Sequence, residues 1–232
     1  MGIAENIAAA RRDIALAAER AGRGDEKIYL VGATKMNDAA RVREAIAAGL
    51  EICGENRVQE LVEKNAAHAY DGAALHFIGH LQRNKVRQVV GVAALIHSVD
   101  SAALMAQIDK VAREKGVVQD ILLEVNIGGE AAKSGFAPGE IPAALAAAAQ
   151  FSAINVRGLM AIPPICADGE ENRPYFTAMK QLFIDNSEKK YDNVHMDFLS
   201  MGMSGDYMAA IDCGANMVRL GTAIFGARDY SK

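Results

Sequence analysis

The sequence lacks tryptophan, paired cysteines and any long uninterrupted apolar run. Its 232 residues include 3 cysteines, 5 prolines and 6% aromatic residues. The cysteines are far apart and form no CxxC pair, so a disulfide framework is not indicated, and we expect reduced thiols in a cytoplasmic protein. Because charged residues interrupt the apolar stretches, neither a transmembrane helix nor the apolar core of a signal peptide is predicted.

The chain also lacks a strong excess of one charge. It has 25 basic and 29 acidic residues, a net charge of −4, and 51% hydrophobic residues. This balance argues against nucleic acid or an anionic membrane as the main partner. The composition is that of a globular protein, and the length favours a single domain spanning residues 1–232.

Short β-rich runs alternate with helical stretches along the chain, after a first helix over about residues 3–22. Eight strand-and-helix units predict an α/β fold, a (β/α)8 TIM barrel with an extra N-terminal helix. A doubly wound open sheet is the alternative, but the first run is not followed by the GxGxxG motif of that fold. The runs cover residues 28–34, 50–56, 75–80, 94–100, 120–127, 156–162, 196–203 and 217–226.

Residues that commonly begin and end helices bound two of the helical stretches. Residues 38–48 and 101–115 begin at Asp38 and Ser101, and each stretch is followed by a glycine. Asp and Ser accept hydrogen bonds from the free N–H groups at a helix start, and glycine favours the backbone conformation that ends helices. Further predicted helices cover residues 139–150 and 204–213, the second of which is opened by Ser204.

The carboxyl ends of the predicted strands are where functional groups gather in parallel α/β folds, and Lys35 lies at the first of these ends. Burial at a barrel mouth lowers the pKa of a lysine and yields an amine that can form a Schiff base. A lysine at a strand end can equally extend its stem over apolar surface and keep its charge in water. The pattern leaves both interpretations open.

Small and hydroxyl-bearing residues fall at the ends of the last two predicted strands. Ser200 and Ser204 flank one of these segments, and Gly221 and Thr222 lie in the other. Barrels often hold a phosphate group at this place with backbone N–H groups and a helix N-terminus. Tight turns that need glycine for backbone reasons would give the same pattern.

Three further polar residues lie on or at the ends of strands. Arg219 is in mid-strand, where an inward charge would need a partner or ligand and an outward one would pair with a helix glutamate. Asn56 and His80 end the second and third runs, although a lone histidine is more often structural than catalytic. The histidines show no HxH or HxxxH spacing, so we predict no metal site.

Several motifs together resemble the YggS/PROSC family of pyridoxal 5′-phosphate homeostasis proteins. The resemblance extends from about residue 6 to the C-terminus. It implies a single (β/α)8 barrel similar to the N-terminal domain of bacterial alanine racemase and to eukaryotic ornithine decarboxylase, with pyridoxal 5′-phosphate as cofactor. The motifs are GATK (32–35), GEN (54–56), HFIGHLQRNK (76–85), KSG (133–135), GLMAI (158–162), SMGMSGD (200–206) and VRLGTAIFGARDY (218–230).

The resemblance gives roles to the residues singled out above. It implies that Lys35 forms the internal aldimine with the cofactor and that Arg219 faces the pyridine nitrogen. Ser204, with the backbone of Gly221 and Thr222, resembles the group that holds the phosphate, and Ser200 is an additional candidate. The remaining implied residues are Asn56, His80 and Met160, which would line the ring, and Lys133, which would offer a secondary amine.

These roles favour a cofactor carrier over an efficient enzyme. Arginine stays cationic at working pH, so Arg219 should leave the ring nitrogen unprotonated and its carbanion-stabilising power weak. The related racemases and decarboxylases add a β-rich domain that we do not find in this sequence. We expect a protein with little or no catalysis of its own that serves vitamin B6 and amino-acid homeostasis and hands cofactor to dependent apo-enzymes.

Two enzymatic alternatives stay open at this point. The first is an amino-acid racemase that acts through the same Schiff base. The second, from the pattern alone, is a barrel enzyme that acts on a phosphorylated metabolite through a lysine Schiff base, with His80 as its acid or base. We expect a monomer, with a dimer through the first helix as the alternative.

Overall fold

In the computed structural model, parallel strands form a closed barrel in which each strand pairs with the next and β8 returns to β1. The structure describes residues 2–130, 132–164, 166, 168–188 and 191–227. The predicted (β/α)8 barrel is therefore confirmed. Its strands are β1 (Tyr29–Ala33), β2 (Ile52–Glu55), β3 (Ala74–Phe77), β4 (Leu95–Val99), β5 (Gln119–Val125), β6 (Ile154–Ala161), β7 (Val194–Met203) and β8 (Met217–Leu220).

Helices follow the strands and surround the barrel, and one further helix precedes β1. Short 3-10 segments also occur at Arg83–Lys85, Pro138–Glu140 and Gly169–Asn172. The α-helices of the described ranges are α1 (Ile3–Arg20), α2 (Ala39–Ala47), α3 (Val58–Ala66), α4 (Val86–Val89), α5 (Ala102–Lys115), α6 (Ile141–Ala148), α7 (Arg173–Ser187), α8 (Tyr207–Asp212) and α9 (Thr222–Phe225).

The expected helix boundaries are confirmed for α2 and α5. The Asp38 side chain accepts a hydrogen bond from the Arg41 N–H at 2.9 Å, and the Ser101 hydroxyl accepts one from the Leu104 N–H at 3.3 Å. Gly116 ends α5 with a left-handed backbone (φ +66°). These local signals were readable in the sequence because each depends on residues only a few positions apart.

Three expectations need correction. The run 217–226 is not one strand: β8 ends at Leu220, Gly221 leaves the extended conformation (φ −109°, ψ −78°), and α9 follows. Ser204 does not open a helix either, because a turn separates it from the start of α8 at Tyr207. The first helix ends at Arg20, since the chain turns at residues 21–22, where Gly22 has φ +68°.

Apolar side chains fill the barrel and the layer between its strands and the helices. The interior contains Val31, Ile52, Leu122 and Met217 among its buried side chains. The outer layer is a larger continuous core that also buries the apolar face of α1, which packs against α8 and α9. Within the described ranges, we find no helix with the length and apolar character that crossing a membrane requires.

Candidate functional site

The carboxyl end of the barrel contains a cavity of about 500 Å³ beside the end of β1. Lys35 follows β1 after one residue and lines this cavity together with Arg41, Gly221, Thr222 and Phe225. The backbone segments that follow β1 and β8 lie close to each other because these two strands are paired, with Gly32 opposite Leu220. The structure thus places Lys35 beside the two residues that the sequence singled out after β8. We call this space the Lys35 cavity.

Helix α3 holds the turn that carries Lys35. Met36 adopts a left-handed backbone (φ +61°), which is uncommon for a residue other than glycine. Its N–H donates to Glu60 Oε2 at 2.7 Å, and the carbonyl of Thr34 accepts a hydrogen bond from Lys64 Nζ at 2.9 Å. Both contacts come from side chains of α3. The turn is therefore fixed on both sides of Lys35.

A buried carboxylate lies beneath this turn. Glu55 Oε1 accepts hydrogen bonds from the Thr34 hydroxyl at 2.6 Å, from Lys64 Nζ at 2.8 Å and from the Tyr70 hydroxyl at 3.0 Å. Burial and the charge of Glu55 raise the pKa of the Tyr70 phenol, so the phenol stays protonated and donates. The same two causes raise the pKa of Cys53 to about 12, which leaves this thiol unreactive at neutral pH.

The start of α9 presents backbone donors to the turn that follows β7. The Ser204 hydroxyl accepts hydrogen bonds from the N–H groups of Gly221 at 3.1 Å and Ala223 at 3.2 Å. Ser204 therefore does not cap α8 as expected; it meets the residues after β8. The oxygen of this hydroxyl is thus occupied by two N–H groups, and its hydrogen can donate to an anion such as a phosphate.

Arg219 points into the barrel, which decides between the two orientations that its sequence context allowed. It is 4% exposed, and it donates to Ser200 Oγ at 2.5 Å and to the carbonyl of Ala161 at 2.9 Å. Burial lowers its pKa to about 10, although the charges of Glu124 and Asp206 oppose this effect. Among the residues that the structure describes, no carboxylate forms an ion pair with Arg219.

Two buried histidines, His97 and His76, extend the hydrogen-bonded chain that begins at Arg219 and Ser200. His97 Nδ1 lies 3.0 Å from Ser200 Oγ, and His97 Nε2 lies 3.0 Å from His76 Nδ1. Burial lowers the pKa of His76 to about 4 and that of His97 well below its ordinary value, so both rings are neutral at pH 7. Arg219 can only donate, so the Ser200 hydroxyl accepts from it, and the tautomer of each ring sets the direction of the bonds from Ser200 to His97 and from His97 to His76.

The remaining expected ring-lining residues lie at different depths. Met160 is buried inside the barrel with Val31 and Ala33. Asn56 and Lys35 each follow the paired residues Gly54 and Ala33 by two positions. The Oδ1 atom of Asn56 is buried and has no hydrogen-bond partner among the described residues.

His80 and Lys133 lie on the side of β4 to β6. The His80 ring is 57% exposed, and its Nδ1 is 3.3 Å from both Asp100 Oδ2 and the Ser134 hydroxyl. Lys133 pairs with Glu130 at 2.6 Å and donates to the carbonyl of Pro163. Residues of the loops after β4, β5 and β6 thus hold both side chains. Neither His80 nor Lys133 is among the described residues that line the Lys35 cavity.

Sequence reasoning missed the residues that support the site from behind. Glu60 and Lys64 lie four positions apart on α3, a helix that the pattern did not single out. His76 and His97 stand within apolar runs, which is the only signal the sequence offers for their burial. In the part of the chain that is described, His, Cys, Asp and Glu form no cluster of three or more suited to a metal ion.

A barrel with this mouth has counterparts among known proteins. The family described as alanine racemase, N-terminal domain, matches residues 6–229. The pyridoxal phosphate homeostasis protein of Aquifex aeolicus is 41% identical over 230 residues, which cover 99% of this chain and 100% of the relative. The protein of the same name from Pseudomonas aeruginosa is 42% identical and covers 98% of this chain and 96% of the relative.

A solved structure supports the same relationship. The PipY protein of Synechococcus elongatus, with pyridoxal phosphate bound, has a TM-score of 0.81 at 32% identity, covering 97% of this chain and 100% of that one. The fold and the mouth thus define a barrel of the alanine racemase N-terminal domain class. Within that class, the chain belongs to the family of pyridoxal phosphate homeostasis proteins, which confirms the resemblance seen in the sequence.

Proposed function

We propose that this protein binds pyridoxal 5′-phosphate reversibly in the Lys35 cavity, through a Schiff base at Lys35, and so serves vitamin B6 homeostasis in the cytoplasm. One observation carries the proposal: the cavity brings the Lys35 side chain together with Gly221 and Thr222. An amine for the aldehyde and backbone donors for the phosphate are therefore side by side. The PipY structure supports the proposal because that relative binds pyridoxal phosphate.

The residues present suit the cofactor's functional groups. The hydroxyl hydrogen of Ser204 would donate to the phosphate at the start of α9, because the oxygen of that hydroxyl already accepts from the N–H groups of Gly221 and Ala223. The Oδ1 of Asn56, which has no hydrogen-bond partner among the described residues, would accept a hydrogen bond from the cofactor, and Arg219 would face the pyridine nitrogen from inside the barrel. When bound, the cofactor supplies an aldehyde. Lys35 would be the residue that holds this aldehyde, in a linkage that water can reverse.

The environment of Arg219 favours holding the cofactor over catalysis. A strong electron sink needs a protonated pyridine nitrogen, which a carboxylate partner normally maintains. Arg219 has a pKa of about 10 and is cationic at pH 7, so it cannot accept or maintain that proton. We therefore propose little or no turnover of the protein's own. Delivery of the bound cofactor to apo-enzymes is the activity that this arrangement would serve.

The proposal is tested by the absorbance of the purified protein mixed with pyridoxal 5′-phosphate. We expect a yellow species that borohydride reduces and that peptide mapping places on Lys35. Lys35→Ala should lose it, whereas the control Lys133→Ala should keep it, because Lys133 lies in the loop after β5. A wild-type protein that stays colourless, or a label found on Lys133 alone, would refute the proposed site.

Catalysis is tested separately with the loaded protein. Exchange of the α-hydrogen of alanine or serine for deuterium reports the first step of racemisation, whether or not the product accumulates. We expect no exchange above the rate given by free cofactor, and equal rates for wild type and Lys35→Ala. Fast exchange that depends on Lys35 would instead establish an amino-acid racemase.

A further inference from the structure

The two peptide groups that bound Lys35 are both held by helix α3. The peptide between Thr34 and Lys35 offers its carbonyl to Lys64 Nζ at 2.9 Å. The peptide between Lys35 and Met36 offers its N–H to Glu60 Oε2 at 2.7 Å. Fixing both peptide planes fixes the backbone dihedral angles of Lys35 and hence the direction of its Cα–Cβ bond.

The two holding groups are themselves joined and anchored. Lys64 Nζ lies 3.0 Å from Glu60 Oε2 and 2.8 Å from Glu55 Oε1, in addition to its contact with the carbonyl of Thr34. An ammonium group has three N–H donors, so these three acceptors satisfy all of them. Lys64 is 8% exposed and Glu55 is fully buried, which leaves the ammonium little freedom to move. We call Glu55, Glu60 and Lys64 the α3 clamp.

The clamp holds a backbone that would otherwise be unfavourable. Met36 has φ +61°, and its side chain is exposed, with the residue 52% accessible. A left-handed backbone at a residue with a Cβ persists where its surroundings enforce it, and such positions are common at functional sites. Met36 is the third residue of a turn that the Asn37 N–H closes by donating to the Thr34 carbonyl at 3.2 Å, and the bond from the Met36 N–H to Glu60 holds the central peptide of that turn.

We propose that Lys64 and Glu60 are positioning residues that aim Lys35 into its cavity, a role that rests on the proposed function of Lys35. Neither residue lines the Lys35 cavity, so neither is a catalytic residue. The clamp would keep the amine within reach of the aldehyde carbon before the cofactor arrives. A small displacement of a reacting group can cost orders of magnitude in rate, so losing the clamp should slow formation of the C=N bond.

The test compares Lys64→Met with the wild type and with Lys115→Met. Both variants keep an apolar stem and remove an ammonium that donates to backbone carbonyls. Lys115 donates to the carbonyls of Arg87 and Val90, ahead of β4 and thus at the other end of the barrel. Stopped-flow absorbance gives the rate of C=N formation, and hydrogen exchange of the Met36 amide reports the turn without any cofactor.

We expect Lys64→Met to form the bond at least ~10-fold more slowly, with faster exchange at Met36, and Lys115→Met to stay within about twofold of wild type. A role in stability alone would lower the melting temperature and leave the rate per folded molecule unchanged. Unchanged exchange in Lys64→Met would overturn the clamp, and faster exchange with an unchanged rate would overturn its positioning role.

Glu60 provides a second pair of variants should Lys64→Met fail to fold. Glu60→Ala removes the acceptor for the Met36 N–H, whereas Glu60→Gln keeps an acceptor oxygen and loses only the charge. We expect the rate to fall in Glu60→Ala and to recover in large part in Glu60→Gln; equal rates in these two variants and wild type would refute the proposal. If wild type forms no bond at Lys35, the proposed function fails, while Met36 exchange still decides whether the clamp exists.

Discussion

The barrel strands carry two arginines, and their surroundings are opposite. Arg157 on β6 donates to Asp197 Oδ2 through Nε and to Asp120 Oδ2 through a terminal nitrogen, each at 2.6 Å. Burial alone would lower its pKa, but these two carboxylates raise it above its ordinary value. Arg219 on β8 is more deeply buried, contacts a hydroxyl and a carbonyl, and has a lowered pKa.

The difference separates an arginine that pairs with two carboxylates from one whose hydrogen-bond partners are neutral, and the proposed function uses the second of these arrangements. A guanidinium with two carboxylates is electrostatically complete, and nothing further has to bind it. A buried guanidinium with only neutral hydrogen-bond partners is costly, and such a cost is tolerated at sites where the charge is needed. Burial alone cannot make this distinction, because it is the charge of the partners that differs.

The largest expected effect is a loss of folding stability in acid. It is expected because the Ser200 hydroxyl that Arg219 contacts is bonded to His97, and His97 is bonded to His76. The folded pKa of His76 is about 4 and that of His97 is also lowered, both by burial. Between pH 6.5 and 4 the unfolded chain therefore binds more protons than the folded one, so stability is lost as the pH falls through this window. Each histidine contributes up to about 1.4 kcal/mol per pH unit.

Urea unfolding at several pH values between 7 and 5 measures this slope. That window lies above the acidic range in which carboxylates such as Glu60 and Asp212, whose pKa values are lowered, add their own effect. His97→Gln keeps a hydrogen-bonding side chain that does not titrate, so its slope should be clearly shallower than that of wild type. Identical slopes would mean that His97 is not the buried neutral group described here.

The next largest effect is expected for Arg157→Met. This substitution leaves Asp120 and Asp197 without their shared partner, and both are only partly exposed. Loss of hydrogen bonds between charged groups should lower the free energy of unfolding by about 2–3 kcal/mol. The absorbance of protein mixed with pyridoxal 5′-phosphate should not change. Urea unfolding measures the predicted loss of stability, and an absorbance titration with pyridoxal 5′-phosphate checks that the spectrum is unchanged. A changed spectrum with unaltered stability would show that Arg157 serves binding and does not stabilise the fold.

The fold followed from local patterns in the sequence, and so did part of the site. Alternating runs predict the barrel, and Asp38 and Ser101 mark helix starts that the structure confirms. The position of Lys35 beside the β8 loop followed from the barrel topology, because all carboxyl ends of the strands meet at one mouth. These inferences needed only sequence neighbours and one topology.

Contacts across the barrel could not be predicted in the same way. The bond between His97 and Ser200 joins residues 103 positions apart, and Arg219 donates to the same hydroxyl. Lys64 reaches the carbonyl of Thr34 from 30 positions along the chain. Long-range pairs of this kind leave no periodic signal. The prediction that Ser204 opens a helix was wrong, whereas the family resemblance had grouped it with the residues after β8, whose N–H groups donate to its hydroxyl.

The smallest effect on stability is expected for Arg219→Met, the matched counterpart of Arg157→Met. Replacing a buried charge that has no anionic partner with an apolar side chain of similar length should change the free energy of unfolding by no more than about 1 kcal/mol. Binding should respond instead: if Arg219 faces the pyridine nitrogen as proposed, the C=N species at Lys35 should persist with a shifted absorbance maximum, because Arg219→Met removes the charge at that nitrogen. Urea unfolding of both arginine variants, alongside their spectra, makes the comparison direct. A loss of stability in Arg219→Met as large as that in Arg157→Met would show that both arginines stabilise the fold, and the distinction between them would fail.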